Sequence, residues 1–527
     1  MKQKKFYITT PIYYPSDNLH IGHCYTTIIA DCLARYKRMR GYDVRFLTGT
    51  DEHGEKLEKA ALERGMQPLE YIDGIVNNIK ELWATLEISN DDFIRTTEPR
   101  HVKAVQKIFS KFLAKGDVYL GEYKGNYCIP CESFWTDAQL DENGNCPDCH
   151  RPVEKRTEES YFFKMSKYAD RLVKYYNDHP GFIEPIERQH EMLTNFINPG
   201  LEDLSVSRTS FKWGIPIIEN PKHIIYVWID ALANYITALG YLSDDDSLFQ
   251  KYWNDEETEI LQLVGKEIVR FHTIYWPIML FSLGLRLPNK VYGHGWLIMK
   301  EGKMSKSKGN VVKPEQLIER YGNDALRHYV LSQIVLGSDG TYTPELFIEA
   351  INSDLANKLG NLLNRTVSMV DKYFDGQIAD NNASTAFDQT LLATAKMTVT
   401  NYEKHMDAYH IDKANHEIFD LVNALNKYID ETQPWVLAND ETKRDVLEKV
   451  LMNLCHGLYQ VGIMLKPFLI HAHETIFMQL GVCEAEYDSI YDFNFNKSYA
   501  VKKGEPIFNR LNVEEEVAFL TGADNEK

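Results

Sequence analysis

The chain has 527 residues, 44% of them hydrophobic and 25% charged, which is the balance of a soluble globular protein with little room for extended disorder. At roughly 100 to 200 residues per domain, this length implies several domains and excludes a single small core. A formal net charge of −18 and a pI near 5.5 exclude a general nucleic-acid-binding field, so an RNA partner has to meet local basic patches.

The start, MKQKKFYITT, is basic but leads into no apolar stretch of signal-peptide length, so the mature chain is expected to begin near Met1. FYITT (6–10) reads as a strand and the 11–19 loop follows it. A helix is expected from near Gly22, because Tyr25, Ile28, Ile29, Cys32, Leu33, Tyr36 and Met39 recur at helical spacing before Gly41. DVRFLTGTDEHG is a second strand closing in a polar loop, which completes a strand–helix–strand unit of a parallel α/β sheet.

Between 117 and 160, glycines, prolines and cysteines cluster and helical periodicity fades, as in an inserted loop-rich module. Sheet-like pattern resumes at HIIYVWI (223–229), then at ILQLVG (260–265) and at KVYGHGWLIM. The most apolar run, YWPIMLFSLGL (275–285), is too short to span a bilayer and contains Pro277. From about 353 to 480 long amphipathic segments predict an α-helical bundle, and the last fifteen or so residues form an acidic tail expected to be loosely held.

Four segments carry chemistry. His20-Ile-Gly-His23 follows the first strand and opens a helix, whose free N–H groups and dipole favour anions, and Gly22 lets a phosphate approach the backbone. Two helix-start histidines bonded only to backbone are the plain alternative. Lys303-Met-Ser-Lys306-Ser lies in a stretch, 298–313, with five lysines against one glutamate. Lysine is a mobile point charge suited to a displaced phosphate, although such a run alone is an ordinary solvated loop.

Cys128-Ile-Pro-Cys131 and Cys146-Pro-Asp-Cys149, fourteen residues apart, match a closed tetrahedral zinc site made of four thiolates. Absence of a secretory signal, with eight cysteines, fits a reducing cytoplasmic compartment where such pairs serve a metal. Cys24, Cys32, Cys455 and Cys483 read as packing residues, and His471 and His473 as structural. In the helical region Asn361 and Arg365 lie four apart on one face, and Trp435 sits in ETQPWVL, where it could stack a base or simply pack a helix.

HIGH and KMSKS together resemble the class I aminoacyl-tRNA synthetases, and over essentially its whole length the chain is similar to their methionyl branch. The resemblance implies a Rossmann-like parallel-sheet catalytic domain with an inserted zinc-knuckle connective module and a C-terminal α-helical bundle. Boundaries are expected at 1–116 and 223–297 for the two catalytic halves, 117–222 for the insertion, 298–352 for the KMSKS loop and stem-contact region, 353–511 for the anticodon-binding domain and 512–527 for the tail. It also implies methionine activation with ATP and Mg2+, then transfer to the 3′ end of tRNA(Met) with its CAU anticodon.

Carried over by motif, His20, Gly22, His23, Lys303 and Lys306 would handle ATP and its leaving pyrophosphate, and His294 in VYGHGWL would border the nucleotide. Asp51 in GTDEHG would hold the methionine α-ammonium, unless it only caps the next helix. Ile12, Tyr14, Trp228, Tyr235, Ile268 and His272 would form the methionine pocket, with plain core packing as the alternative for the two aromatics in VWIDALANY. Arg208 would face the active site or form a structural ion pair, and Asn361, Arg365 and Trp435 would read the anticodon. The stretch between the two sheet halves, about 117–222, is too short for the editing insertion of the isoleucyl, valyl and leucyl enzymes, and all four zinc ligands cluster in the insertion, whereas cysteinyl enzymes place theirs in the amino-acid pocket. A non-catalytic RNA-binding scaffold would have no need of both phosphate motifs. A chain ending soon after GEPIFNRL is expected to be a monomer.

Overall fold

A computed structural model describes residues 3–131, 133–135, 137–299, 302–303, 312–483 and 486–521. They divide into two compact units: one formed by the chain up to Leu19 together with Tyr42–His294, the other by His20–Gly41 and the residues from Gly295 onward.

The first unit is built on a six-stranded sheet. Its strands are β1 (Lys5–Thr9), β2 (Asp43–Thr50), β3 (Asp92–Arg95), β4 (Ile183–Glu184), β5 (Thr258–Gly265) and β6 (Lys290–His294), in the order β3-β2-β1-β5-β6-β4, and every pairing is parallel. Phe6 stands opposite Val44 on one side and Glu259 on the other. Strands covered on both faces need near-continuous apolar runs, and Phe6, Tyr7 and Ile8 are all fully buried. The chain leaves β1 in both directions across the sheet, which opens a crevice beyond the carboxyl ends of β1 and β5, where doubly wound sheets bind ligands.

Two expectations about this sheet are corrected. HIIYVWI is not a strand of it: Asn220–Ile225 pairs antiparallel in a separate three-stranded sheet, and Val227–Thr237 is a helix. Buried helices and buried strands share the same apolar composition, and Tyr226, extended at ψ 141°, ends one and starts the other. Second, the expected insertion 117–222 supplies β4, which hydrogen-bonds along β6. The remainder of that insertion holds a four-stranded antiparallel sheet of Val118–Cys128, Ser133–Trp135, Glu154–Phe163 and Leu204–Ser205.

In the second unit, the helix Ile21–Met39 packs with the helices that follow the KMSKS segment. Asp31 and Arg327, both fully buried, form an ion pair at 2.8 Å, and Arg327 also donates to the carbonyls of Pro467 and Phe468. KVYGHGWLIM is split: its first half is β6, whereas Leu297–Met299 pairs with Gly302–Lys303 and Gly340–Tyr342 in a small sheet of the second unit. The expected bundle follows, centred on Arg444–Leu465, which is buried all round from Val450 to Leu465 as an inner helix must be. Two of its buried amides are tied down: Asn453 donates to the Tyr428 hydroxyl and Gln460 to the Ile490 carbonyl.

The tail is corrected in part. Val513–Thr521 is a helix with three glutamates in its first turn, where the dipole favours them, and Glu516 takes Arg320 and the Tyr321 hydroxyl. Among the described residues, no helix is long and apolar enough to cross a membrane.

Candidate active site and metal centre

At the carboxyl edge of the parallel sheet, the segments following β1, β2 and β5 meet helix Val227–Thr237 around a cavity of about 300 Å³. That is the small end of ligand-pocket sizes, suited to an amino acid. Ile12 and Tyr14 reach it from the loop after β1, and Asp51 from the residue after β2. Trp228 and Tyr235 come from the helix, and Ile268 and His272 from the segment after β5. Backbone bonds fix the loop ends: Tyr13 N–H donates to Gly49 O at 2.8 Å and Asp51 N–H to Tyr13 O at 3.0 Å. Gly49 is required because a Cβ there would lie 2.0 Å from the Ile94 carbonyl of β3.

Among the described residues, the lining carries a single carboxylate, Asp51. Burial depresses the His272 imidazole to about 4, outweighing its backbone contact at Ile268, so the ring is neutral at physiological pH. Its Nδ1–H donates to the Ile268 carbonyl at 2.9 Å, which leaves Nε2 to accept from the Tyr235 hydroxyl at 2.6 Å. Burial likewise pushes the Tyr235 hydroxyl up, keeping it a donor. Trp228 lies flat on Phe271, ring centroids 3.5 Å apart. An apolar and aromatic chamber with one fixed negative charge fits a cationic head group on an apolar side chain. Asp51 is not a helix cap: Glu55–Glu63 starts from Gly54 with no side-chain cap bond.

In the second unit, the HIGH histidines close the start of their helix. His20 Nδ1 accepts from Gly22 N–H and His23 Nδ1 accepts from His20 N–H, each at 3.1 Å. The plain reading, histidines bonded to backbone at a helix start, is the one this geometry shows. Capping through Nδ1 forces the proton of each neutral ring onto Nε2, which is the tautomer that donates to a phosphate oxygen. Gly22 serves the same arrangement, since a Cβ would stand 2.9 Å from the His20 ring. One residue on, Ile21 N–H donates to the Val312 carbonyl at 3.2 Å, which ties the HIGH helix to the residue just beyond the KMSKS loop. Lys303 ends the strand Gly302–Lys303; its side chain, and Lys306 as a whole, lie outside the described residues.

All four sulfurs of Cys128, Cys131, Cys146 and Cys149 lie within 4.8 Å of one another. Cys128 to Cys149 is 3.5 Å and Cys131 to Cys146 is 3.8 Å. A tetrahedron with metal–sulfur bonds of about 2.3 Å has sulfurs about 3.8 Å apart, so the set has the size of a closed four-thiolate metal site.

The sequence matches the family described as tRNA synthetases class I (M) over residues 6–155 and 149–367, and the anticodon binding domain of methionyl tRNA ligase over 378–518. A methionine–tRNA ligase of Caldanaerobacter subterraneus is 55% identical over 527 residues, covering the whole chain and 82% of the relative. One from Bacillus subtilis is 55% identical over 98% of the chain and 79% of the relative. The chain belongs to the methionyl-tRNA synthetase family.

The fold agrees: a Mycobacterium tuberculosis methionyl-tRNA synthetase solved with methionyl-adenylate superposes with a TM-score of 0.91 at 36% identity, covering 96% of this chain and all of that one. As a class I methionine–tRNA ligase, this chain activates methionine with ATP and charges tRNA.

Not every expected residue of this synthetase sits at the cavity. Arg208 is buried elsewhere in the first unit: its Nη1 donates to Ser205 Oγ and Ser207 O, and its guanidinium lies 4.4 Å over the Tyr226 ring. His294 ends β6, almost fully buried. In the bundle, Asn361 is exposed, Arg365 pairs with Asp430 at 3.1 Å and Trp435 is 44% exposed, five residues after Asp430. Cys24, Cys32 and Cys455 are buried, whereas Cys483 is exposed. The cavity also uses Pro11, Val227, Ala231 and Leu232, with Pro130 and Cys131 of the knuckle at its wall. Cys131 is singled out by its CxxC motif, but as a metal ligand and not as a cavity wall, and the apolar neighbours of a motif carry no distinguishing spacing.

Proposed function

We propose that the cavity is the methionine site, with the Asp51 carboxylate taking the α-ammonium and the thioether lying among Ile12, Trp228 and Ile268, below the Tyr235–His272 pair. The observation that carries this reading is that all seven residues assigned to methionine line one chamber whose single carboxylate, among the described residues, is Asp51. Discrimination against leucine would come from shape and from the polarizable sulfur against aromatic faces.

In the reaction, a methionine carboxylate oxygen attacks the α-phosphorus of ATP, and the bond to the bridging oxygen breaks so that pyrophosphate leaves with its electron pair. We assign His20 and His23 Nε2–H, with Gly22, to ATP phosphate oxygens, His294 to the nucleotide, and Lys303 and Lys306 to the charge growing on the leaving group, which Mg2+ would share. The terminal hydroxyl of tRNA then attacks the adenylate carbonyl and AMP departs. Arg208, tied to Ser205 and Ser207, would support the site from behind Tyr226. Trp435 would stack an anticodon base of tRNA(Met) while Asn361 and Arg365 read its CAU edges.

The four cysteines fit Zn2+, whose role here would be to hold the knuckle closed. We further propose a monomer working in the cytoplasm, the first part checked by sedimentation across a wide concentration range. The central test is ATP–pyrophosphate exchange with each of the twenty amino acids. Exchange with methionine alone supports the reading, and exchange with none would favour a scaffold that only binds RNA.

A further inference from the structure

One buried hydrogen-bonded cluster beside the cavity has no part in the chemistry above. Asp230, fully buried on helix Val227–Thr237, receives two imidazoles: His53 Nδ1 at 2.7 Å from one carboxylate oxygen and His101 Nε2 at 2.8 Å from the other. His101 is itself fully buried and reaches Thr237 Oγ1 through Nδ1 at 2.7 Å. Burial by itself would raise the Asp230 carboxyl, but His53 and then His101 outweigh it and keep the group ionised below the ordinary carboxylate range. A carboxylate only accepts, so each ring presents N–H to it.

These residues connect opposite sides of the methionine cavity. His53 is two residues from Asp51 in the loop after β2, while Asp230 is two residues from Trp228 and adjacent to Ala231, both on the facing wall. The loop is braced on its other flank as well. Trp213 Nε1–H donates to Glu52 O at 2.6 Å and packs against the His53 ring, and the buried Glu52 carboxylate takes Arg95 Nε at 2.7 Å.

The geometry points to His53 and Asp230 as positioning residues that set the distance between the Asp51 carboxylate and the Trp228–Tyr235 wall, with His101 orienting Asp230 from behind. This inference rests on the reading of Asp51 as the ammonium anchor. A cavity of this size leaves little slack, and displacement of a binding group by about 1 Å can cost on the order of a hundredfold in rate. A hydrogen-bonded strut is suited to the task because its two ends come from segments far apart in the chain, and a buried directional bond fixes one geometry where apolar packing admits several.

The test compares His53→Ala with His53→Asn, because an asparagine amide places its N–H where imidazole Nδ1 stands and can keep the bond to Asp230. His53→Ala is expected to raise the KM for methionine about tenfold or more in pyrophosphate exchange, with the KM for ATP little changed, and His53→Asn to recover most of the loss. The second readout is inhibition by 4-(methylthio)butanoic acid, which is methionine without its ammonium. If His53 works through Asp51, the alanine variant weakens methionine but leaves the inhibition constant of this analogue unchanged. A general loss of cavity structure would weaken both, and either that result or an asparagine variant no better than alanine overturns the proposal. Asp51→Asn is run in parallel. If it leaves the methionine KM unchanged, the anchor reading falls with the inference built on it; if it raises KM while His53→Ala does not, only the positioning role is lost.

Discussion

His272 makes the stability of the first unit depend on pH in a calculable way. Its folded imidazole titrates at about 4 against an ordinary 6.5, because burial disfavours the charged ring. Between those values the unfolded chain binds a proton that the folded chain does not, so this contribution is intact above 6.5 and is lost as pH falls. At about 1.4 kcal/mol per tenfold change, the whole interval is worth roughly 3 kcal/mol, of which about 2 kcal/mol is lost between pH 7 and pH 5. Carboxylates held low, such as Asp230, lose their contribution only at lower pH, at and below the usual 3.8. In His272→Asn the amide keeps the donor to Ile268 O but has nothing to titrate. The unpartnered Tyr235 hydroxyl then costs a constant of about 1 to 3 kcal/mol at every pH. Hydrogen exchange of amides in β5 and the following helix, corrected for intrinsic rates, measures the opening free energy of this region alone. The native protein should lose about 2 kcal/mol more than the variant on going from pH 7 to pH 5. Equal losses in the two would show that His272 is charged, or solvated, in the folded state.

Lys306→Ala should slow methionine-dependent pyrophosphate exchange by on the order of a hundredfold, with methionine affinity little altered, because the lost charge matters most as pyrophosphate departs. An unchanged rate removes Lys306 from the reaction. Trp435→Ala should raise the KM for tRNA about tenfold, the value of one stacked base at roughly 1 to 3 kcal/mol, and leave pyrophosphate exchange intact. A parallel fall in exchange would mean the variant damages the fold instead. Metal analysis should find one zinc per chain in the native protein and none in Cys146→Ser after dialysis against a chelator, and retention of metal by the variant would argue against a four-thiolate site.

Motifs made the chemistry legible, and pattern failed where a few residues do structural work without periodicity. Two tandem CxxC turns carry their geometry in their spacing, and the structure closes them to metal-site dimensions. β4 has two residues, Ile183 and Glu184, too short for any alternation to register, yet it completes the sheet edge. HIIYVWI reads as one strand because β-branched and aromatic residues suit both a strand and a buried helix, and only the partners of Asn220–Ile225 decide between them. The acidic tail reads as loosely held for a related reason: its glutamates look solvated in sequence, whereas all three fall in the first turn of a helix and Glu516 meets Arg320. His53 and Asp230 stand inside quoted motifs, DEHG and VWIDAL, but their bond spans 177 residues and has no local signature.

The HIGH signature shows how such long-range bonds give a motif its meaning. The boundary between the two compact units falls between Leu19 and His20, so the histidines are grouped with residues nearly three hundred positions later and not with the strand that precedes them. Contacts in the second unit include the Ile21 amide on the Val312 carbonyl, Asp31 buried against Arg327, the Tyr36 hydroxyl on Asp407 and Arg40 paired with Glu403. Removing one partner of a fully buried pair typically costs about 3 to 5 kcal/mol. That is enough for the second contact to decide where the helix sits, whereas the first is an ordinary backbone bond worth about 1 kcal/mol. It follows that the placement of the HIGH helix in the second unit is specified outside the motif, by an aspartate eleven residues beyond His20 and its buried partner Arg327. A chain that kept the HIGH signature but lost this pair would keep the histidines without the buried contact that seats their helix.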